Sequence, residues 1–429
     1  MHFISLLKSK LARNSALFIL SNTIKAGIPF LILPVLTRFL SPEDYGIISI
    51  YQVIISVLIV LIGINTHGAV SVSYFKLSKD QLRIYVGNII YILCISFAIV
   101  LLISLILSNA LTELLGFPAT WLPIITLSAF FQFLTSLNLV LWQAEQRPIP
   151  YGLTTIAYTI LNLALSLIFI MFMQMQWEGR LYGIIISTIL FGTINFYIML
   201  KRGYISFTWN PQYFRDALKF GIPLIPHSLS GLINTTIDRI MLTAMIGIAA
   251  TGLYTVGFQV GTVISLLATS FNTAWVPYLY QTLKENKHSS KIHIVQFTYL
   301  YFVVIVLLAL LLGFAAPPLL KIFVGHEFQS SAEYVIWIAL AYAAQGMYFM
   351  VANYIFYMKK TRILAILTFT NALLNIGLTY WFVSARGAIG AAQSTTISYF
   401  IVFFAIWILS NRIYKMPWLR ALKFSHEPK

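Results

Sequence analysis

The chain has 429 residues, of which 59% are hydrophobic and only 9% charged, a balance that excludes a soluble globular domain. Cys94 is the only cysteine, which excludes an intrachain disulfide and a cysteine-based zinc site. A formal net charge of +16 would suit a nucleic-acid ligand, but the placement of the basic residues gives it another meaning.

Crossing a hydrocarbon core of about 30 Å takes roughly 20 apolar residues in a helix, and such runs recur along nearly the whole chain. Strands of a membrane barrel would alternate in polarity, whereas "IIYILCISFAIVLLISLIL" (89–107) is apolar on every face. Lys8, Lys10 and Arg13 precede the first run, which is long and lacks a small-residue cleavage site, so it reads as a retained span. Spans are predicted near 15–37, 46–68, 84–108, 121–143, 151–175 and 181–200, then near 221–244, 252–277, 292–316, 333–357, 363–383 and 388–410. Trp121 and Trp142 bracket the fourth, about 32 Å apart along a helix axis, as interfacial aromatics would.

Most of the 28 Lys and Arg residues fall before the first span, in alternate loops and in the tail. The opposite loops hold only Arg38, Arg180, Lys321 and Arg386. This is the positive-inside pattern of a multispanning protein, with both termini cytoplasmic and no nucleic-acid partner implied. The predicted organisation is an N-terminal six-helix bundle (1–200), a cytoplasmic linker (201–220), a C-terminal six-helix bundle (221–410) and a basic cytoplasmic tail (411–429). The fold class is an all-α integral membrane protein of about twelve transmembrane helices.

The linker carries Arg215, Asp216 and Lys219 beside Phe214, Leu218 and Phe220, which suits either an amphipathic surface helix or an extension of the next span. An even number of spans per half would give two bundles related by an axis along the membrane normal. "KAGIPFLILP" (25–34) and "KFGIPLIP" (219–226) share Lys-x-Gly-Ile-Pro, a suggestive trace of duplication.

There is no Gly-rich phosphate loop, His-Glu-x-x-His or Gly-x-Ser-x-Gly, and a non-enzymatic role is expected with no cofactor and no metal. Charges inside spans cost roughly 2.5 to 3.5 kcal/mol each on insertion scales, so they should face protein or a wet cavity. Lys25 lies in the first span, and Asp238 and Arg239 lie in the seventh. Adjacent helical residues point about 100° apart, so Asp238 and Arg239 each need another partner. Arg239 either snorkels or faces the cavity; Asp238 forms a structural ion pair, with Lys25 as one candidate, or takes part in ion coupling. Asn22 shares a face with Lys25, and Asn234 with Asp238. Gln52 and Asn272 are among many further polar residues in spans, which act as interhelical glue or wet the cavity.

Pro29, Pro34, Pro223 and Pro226 can kink the first and seventh spans. Gly257 and Gly261 form a Gly-x-x-x-Gly expected to serve close packing.

Two stretches carry a family likeness. "PVLTRFLSPEDYGIISIYQVIISVLIVLIGI" (34–64) and "FGIPLIPHSLSGLINTTIDRIMLTAMIGIAATGLYTVG" (220–257) resemble polysaccharide-biosynthesis flippases of the Wzx O-antigen type. The resemblance implies a multidrug-and-toxin-extrusion-like fold with two six-helix bundles around a central cavity. It also implies alternating-access transfer of undecaprenyl-diphosphate-linked oligosaccharide across a bacterial inner membrane, with membrane lipids, a polysaccharide polymerase and a chain-length regulator as partners. Lys25, Arg239 and Arg38, near the outer mouth, would then compensate the diphosphate charge, with Asn22, Gln52, Asn234 and Asn272 as further substrate-binding residues. Asp238 would tether a cation or titrate in an antiport cycle. A drug or cation exporter of the related family would call for cavity acids, and Asp238 is the one acid well inside a predicted span. A membrane polymerase would call for a large outer loop, and the longest expected lies near 317–332.

Overall fold

The computed structural model describes residues 10–285, 287–358 and 360–422. Among these the chain is helical throughout, with no strand. Ten stretches of the described residues are long and apolar enough to cross a membrane. Two further helices, α1 (Lys10–Phe39) and α10 (Leu224–Met245), correspond to the first and seventh predicted spans. The chain divides into two compact units, one ending at Leu232 and the other beginning at Ile233.

In the first unit, α1 is followed by α2 (Pro42–Gly63). The Leu-Ser-Pro-Glu-Asp turn between them is a capping box. Ser41 accepts from the Asp44 backbone N–H at 3.1 Å, and the Asp44 carboxylate accepts from the Ser41 N–H at 2.9 Å. Pro42 occupies the first turn, where its missing N–H costs nothing. The second predicted span begins and ends earlier than expected. Helix α2 stops where Ile64 and Asn65 both take positive φ, 46° and 52°, and the chain resumes as the short α3 (Thr66–Ser73). The Thr66 hydroxyl donates to the Gly63 carbonyl at 2.7 Å and Ser228 donates to the Asn65 side chain at 3.2 Å, so polar partners take over at the break.

The unit continues with α4 (Lys79–Ile106), α5 (Ser108–Leu115), α6 (Leu122–Ala144), α7 (Pro148–Leu167) and α8 (Gln176–Lys201). A π-helical turn over Ile168–Phe172 closes α7. Ile50, Ile62, Val86, Ile89, Ile125, Leu137 and Leu141 form a core with essentially no exposed surface. Ile99, Leu102 and Ile106 face outward, as residues meeting lipid tails should. Cys94 is also on the exposed side of α4.

The segment after α8 is held as a strap. Asn88, fully buried on α4, donates to the Thr208 carbonyl at 3.0 Å and accepts from the Asn210 N–H at 3.0 Å. Ser206 N–H donates to the Arg83 carbonyl at 2.9 Å, and Tyr91 donates to the Phe207 carbonyl at 2.7 Å. Gly87 permits this approach, because a Cβ there would collide with the Ser206 carbonyl. Asn210 then caps α9 (Pro211–Gly221) by accepting from the Gln212 and Tyr213 N–H groups. The amphipathic segment is therefore a separate helix packed on α3 and α4. Pro223 and Pro226 stand at the start of α10 rather than in its middle, so they terminate and restart the helix instead of kinking it.

A charge cluster ties α6 to the end of α8. Arg202 donates to Glu145 and stacks between Trp142 and Tyr204, and Tyr204 donates to the same carboxylate. Burial, then the hydrogen bond to Glu145, push the Tyr204 phenol well above its ordinary pKa. One layer inward, Asn138 donates to Asn195 at 2.6 Å.

The second unit contains most of α10, then α11 (Ile248–Gly261) and α12 (Val263–Glu285). The eighth predicted span is thus divided at Thr262, whose hydroxyl turns back to the Gln259 carbonyl. Helices α13 (His288–Phe323), α14 (Ala332–Tyr357), α15 (Thr361–Arg386), α16 (Ala388–Ile413) and α17 (Trp418–Leu422) complete it. Because α13 runs through Pro317 and Pro318, little of the expected outer loop remains outside helical structure. Lipid supplies no hydrophobic drive between helices, so close packing of small residues has to hold them together. Ala339, Ala343, Ala391 and Ala392 are fully buried where α14 meets α16. Gly257 and Gly261 bring α11 against α14, since a Cβ at either would lie within 2.6 Å of Ser331 or Ile338.

Candidate functional site

In the second unit the polar interior begins on α10. Asp238 is 3% exposed and accepts two hydrogen bonds, from the Arg239 N–H at 2.9 Å and from the hydroxyl of Tyr254 on α11. Arg239 points elsewhere, with its guanidinium 4.5 Å from the ring centre of Phe258. The Arg239 Nε is buried without a hydrogen bond. The ring of Tyr254 packs on Phe258 and Tyr334, Phe258 packs on Tyr342, and Tyr342 packs on Tyr399. A buried acid and a half-buried base thus sit side by side among aromatic rings, each held by a different partner. Such a setting lowers the cost of both charges without neutralising them directly.

One turn earlier, Asn234 accepts from Asn371 at 2.9 Å, and Asn371 accepts from Ser398 at 2.8 Å. This chain joins α10, α15 and α16. Asn272 belongs to another pair, accepting from Asn353 at 2.8 Å between α12 and α14. Arg386 donates to Gln393 at 3.0 Å.

In the first unit Asn22 accepts from Tyr151 at 3.1 Å. Arg38 and Gln52 have exposed side chains. Lys25 falls within α1, but its side chain lies outside the described residues, as does its suggested pairing. The structure therefore brings Asp238, Arg239 and Asn234 onto one stretch of α10, while Asn22, Gln52, Arg38 and Asn272 occupy separate places in their own units.

Sequence reasoning missed Arg180, which it counted as a loop residue. The structure places it on α8 in the wall of the first unit, donating to Asn162 at 2.6 Å and Ser166 at 2.7 Å. The available signal was helical spacing: Arg180, Gly183 and Ser187 lie on one face of α8. Tyr45 and Tyr51 on α2 and Tyr158 on α7 lie within electrostatic reach of its guanidinium.

Solved structures share this fold, two of them as follows. "Lipid II flippase MurJ, inward closed conformation" superposes with a TM-score of 0.74 at 16% identity, covering 96% of this chain and 91% of that one. An inward-facing multidrug resistance MATE family transporter of the MOP superfamily gives 0.71 at 16% identity, covering 95% and 99%. With its ten apolar stretches, the protein is thus a multi-pass membrane protein, helical across its described residues, with a multidrug-and-toxin-extrusion-like fold. The family model described as "Polysaccharide biosynthesis protein" matches residues 11–283, and the MatE model matches residues 223–381. The chain belongs to the polysaccharide biosynthesis protein family, whose flippases it resembles in sequence. An uncharacterized membrane protein of Haemophilus influenzae is 27% identical over 373 residues, covering 86% of this chain and 89% of that protein. "Capsular polysaccharide biosynthesis protein CapF" of Staphylococcus aureus is 25% identical over 423 residues, covering 94% and 100%.

Proposed function

We propose that this protein moves undecaprenyl-diphosphate-linked oligosaccharide repeat units of a surface polysaccharide, such as O-antigen, from the cytoplasmic to the outer leaflet of a bacterial inner membrane. The observation that carries this reading is the family match across residues 11–283. The charges support it. Bases outnumber acids inside the spans, as a carrier of a diphosphate requires, because phosphate withdrawn from water needs fixed cations to replace its hydration.

In this reading two six-helix halves alternate their opening, and both termini are cytoplasmic. Lys25, Arg38 and Arg239 meet the diphosphate. Asn22, Gln52, Asn234 and Asn272 meet sugar hydroxyls, and Asp238 is the group through which a cation gradient is coupled. A polysaccharide polymerase and a chain-length regulator would receive the product.

The test is deletion of the gene in its host, extraction of lipids, release of saccharides by mild acid, and mass spectrometry. Accumulation of one oligosaccharide is the expected result. The MatE match over residues 223–381 favours a second reading, a multidrug or cation antiporter. Intact surface polysaccharide with no accumulated saccharide would select it.

A further inference from the structure

Arg180 is a cation of the first unit that has no anionic partner among the described residues. Its two hydrogen bonds, to Asn162 and Ser166, both use Nη1, so Nε and Nη2 have no partner among the described residues. Both acceptors are neutral and buried, Asn162 at 8% and Ser166 at 0% exposure. The ion pairs at Asp80 and Glu145 do not involve it. The guanidinium is only half-buried, so its unpartnered N–H groups stay within reach of an incoming group. Such a charge in a membrane helix marks a site that is paired during function.

The surroundings are arranged for an anion. Tyr51 is 2% exposed, its hydroxyl has no hydrogen-bond partner, and it lies within electrostatic reach of Arg180. Tyr158, on the same wall, shares a hydrogen bond with Thr188 at 3.1 Å. The idle donors are therefore the free edge of a guanidinium and one phenol. The free edge of the guanidinium alone carries three hydrogens, on Nε and Nη2, with the phenol within electrostatic reach of it. A tetrahedral oxyanion can accept all of them, whereas a chloride would leave the planar fork unused. By the placement of the basic loops, Arg180 stands near the outer end of α8.

We propose that Arg180 and Tyr51 form an oxyanion site within the first unit that takes a phosphate group of the lipid-linked substrate near the outer face. The site deepens the flippase reading and rests on it for the lipid origin of the phosphate. Asn162 and Ser166 hold the guanidinium from behind, so its remaining N–H groups are aimed and need no reorganisation when phosphate arrives.

The test uses the full-length protein in nanodiscs of neutral lipid and three probes: decyl phosphate, inorganic pyrophosphate and decanol. Decyl phosphate should bind, and decanol should not. Arg180→Gln should weaken decyl phosphate binding at least about tenfold, and Arg180→Lys should weaken it by a smaller factor, since charge stays but the fork is lost. Tyr51→Phe, which changes no packing volume beyond one oxygen, should weaken it about fivefold. This variant keeps the test decisive where Arg180 variants fail to fold. Binding of decyl phosphate alone assigns the site to a lipid-borne phosphate; binding of pyrophosphate as well, lost in the same variants, assigns it to the oxyanion whatever its source. Equal binding of decanol, no binding of either anion, or affinities unchanged in Tyr51→Phe and Arg180→Lys would overturn the proposal. Because binding is read directly, a negative result leaves the lipid analysis of the deletion strain to judge transport separately.

Discussion

The hydroxyl of Tyr254 donates to the buried carboxylate of Asp238, sixteen residues earlier in the chain, and so ties α10 to α11 at the point where both carry their polar groups. A hydrogen bond to a charged acceptor is worth about 1.5 to 3 kcal/mol. Tyr254→Phe should therefore lower the melting temperature in detergent by several degrees and reduce transport. Asp238→Ala should abolish transport while the protein still inserts. Complementation of a deletion strain reads activity, and membrane fractionation reads insertion; full activity of Asp238→Ala would remove it from any coupling role.

Arg239 lies over Phe258 with its guanidinium 4.5 Å from the ring centre. Cation–π contacts contribute about 0.5 to 2 kcal/mol according to burial. Phe258→Leu keeps the volume roughly but removes the ring face, and should cost a similar amount in thermal unfolding. Arg239→Lys should retain folding and lose transport if planar contact with phosphate matters.

If Lys25 meets the diphosphate as proposed, Lys25→Ala should insert normally and fail in complementation, because a cation inside the first span is removed. Quantitative immunoblotting beside the complementation assay separates loss of function from loss of protein.

The strap on α4 depends on Asn88, which bonds both Thr208 and Asn210. Asn88→Ala should release residues 204–210 from the helix. Limited proteolysis would then cut between α8 and α9 faster than in the unaltered protein. Gly87→Ala should have the same effect by steric displacement of Ser206. Unchanged cleavage in both variants would mean the strap is held by other contacts.

Glu145 receives both Arg202 and Tyr204. Removing one member of a half-buried pair leaves the other charge unpaired and partly withdrawn from water. Glu145→Ala should therefore destabilise more than the double variant Glu145→Ala, Arg202→Gln. Thermal unfolding of the single and double variants completes the cycle.

Much of the fold was legible because membrane solvation acts on contiguous residues. A helix that crosses lipid must satisfy its own backbone and present apolar side chains along about 20 residues, so the spans announce themselves in order. The turn at Ser41–Asp44 was equally local, since a capping box is written within four positions. The charge bias of the loops carried an expectation of orientation, with both termini cytoplasmic. The acidic and basic residues of α10 stood out because charge is rare in such surroundings.

What the tertiary structure decided was which polar groups meet. The break at Ile64 and Asn65 is met by Ser228, 163 positions away from Asn65. The strap pairs Asn88 with Asn210 across 122 positions, and Arg180 acquires its meaning from Asn162, Ser166 and Tyr51 on other helices. None of these pairings has a period or a motif. They arise because hydrogen-bonding groups inside a helical bundle must find partners wherever packing delivers them, and a linear pattern records the need of each group but not its partner.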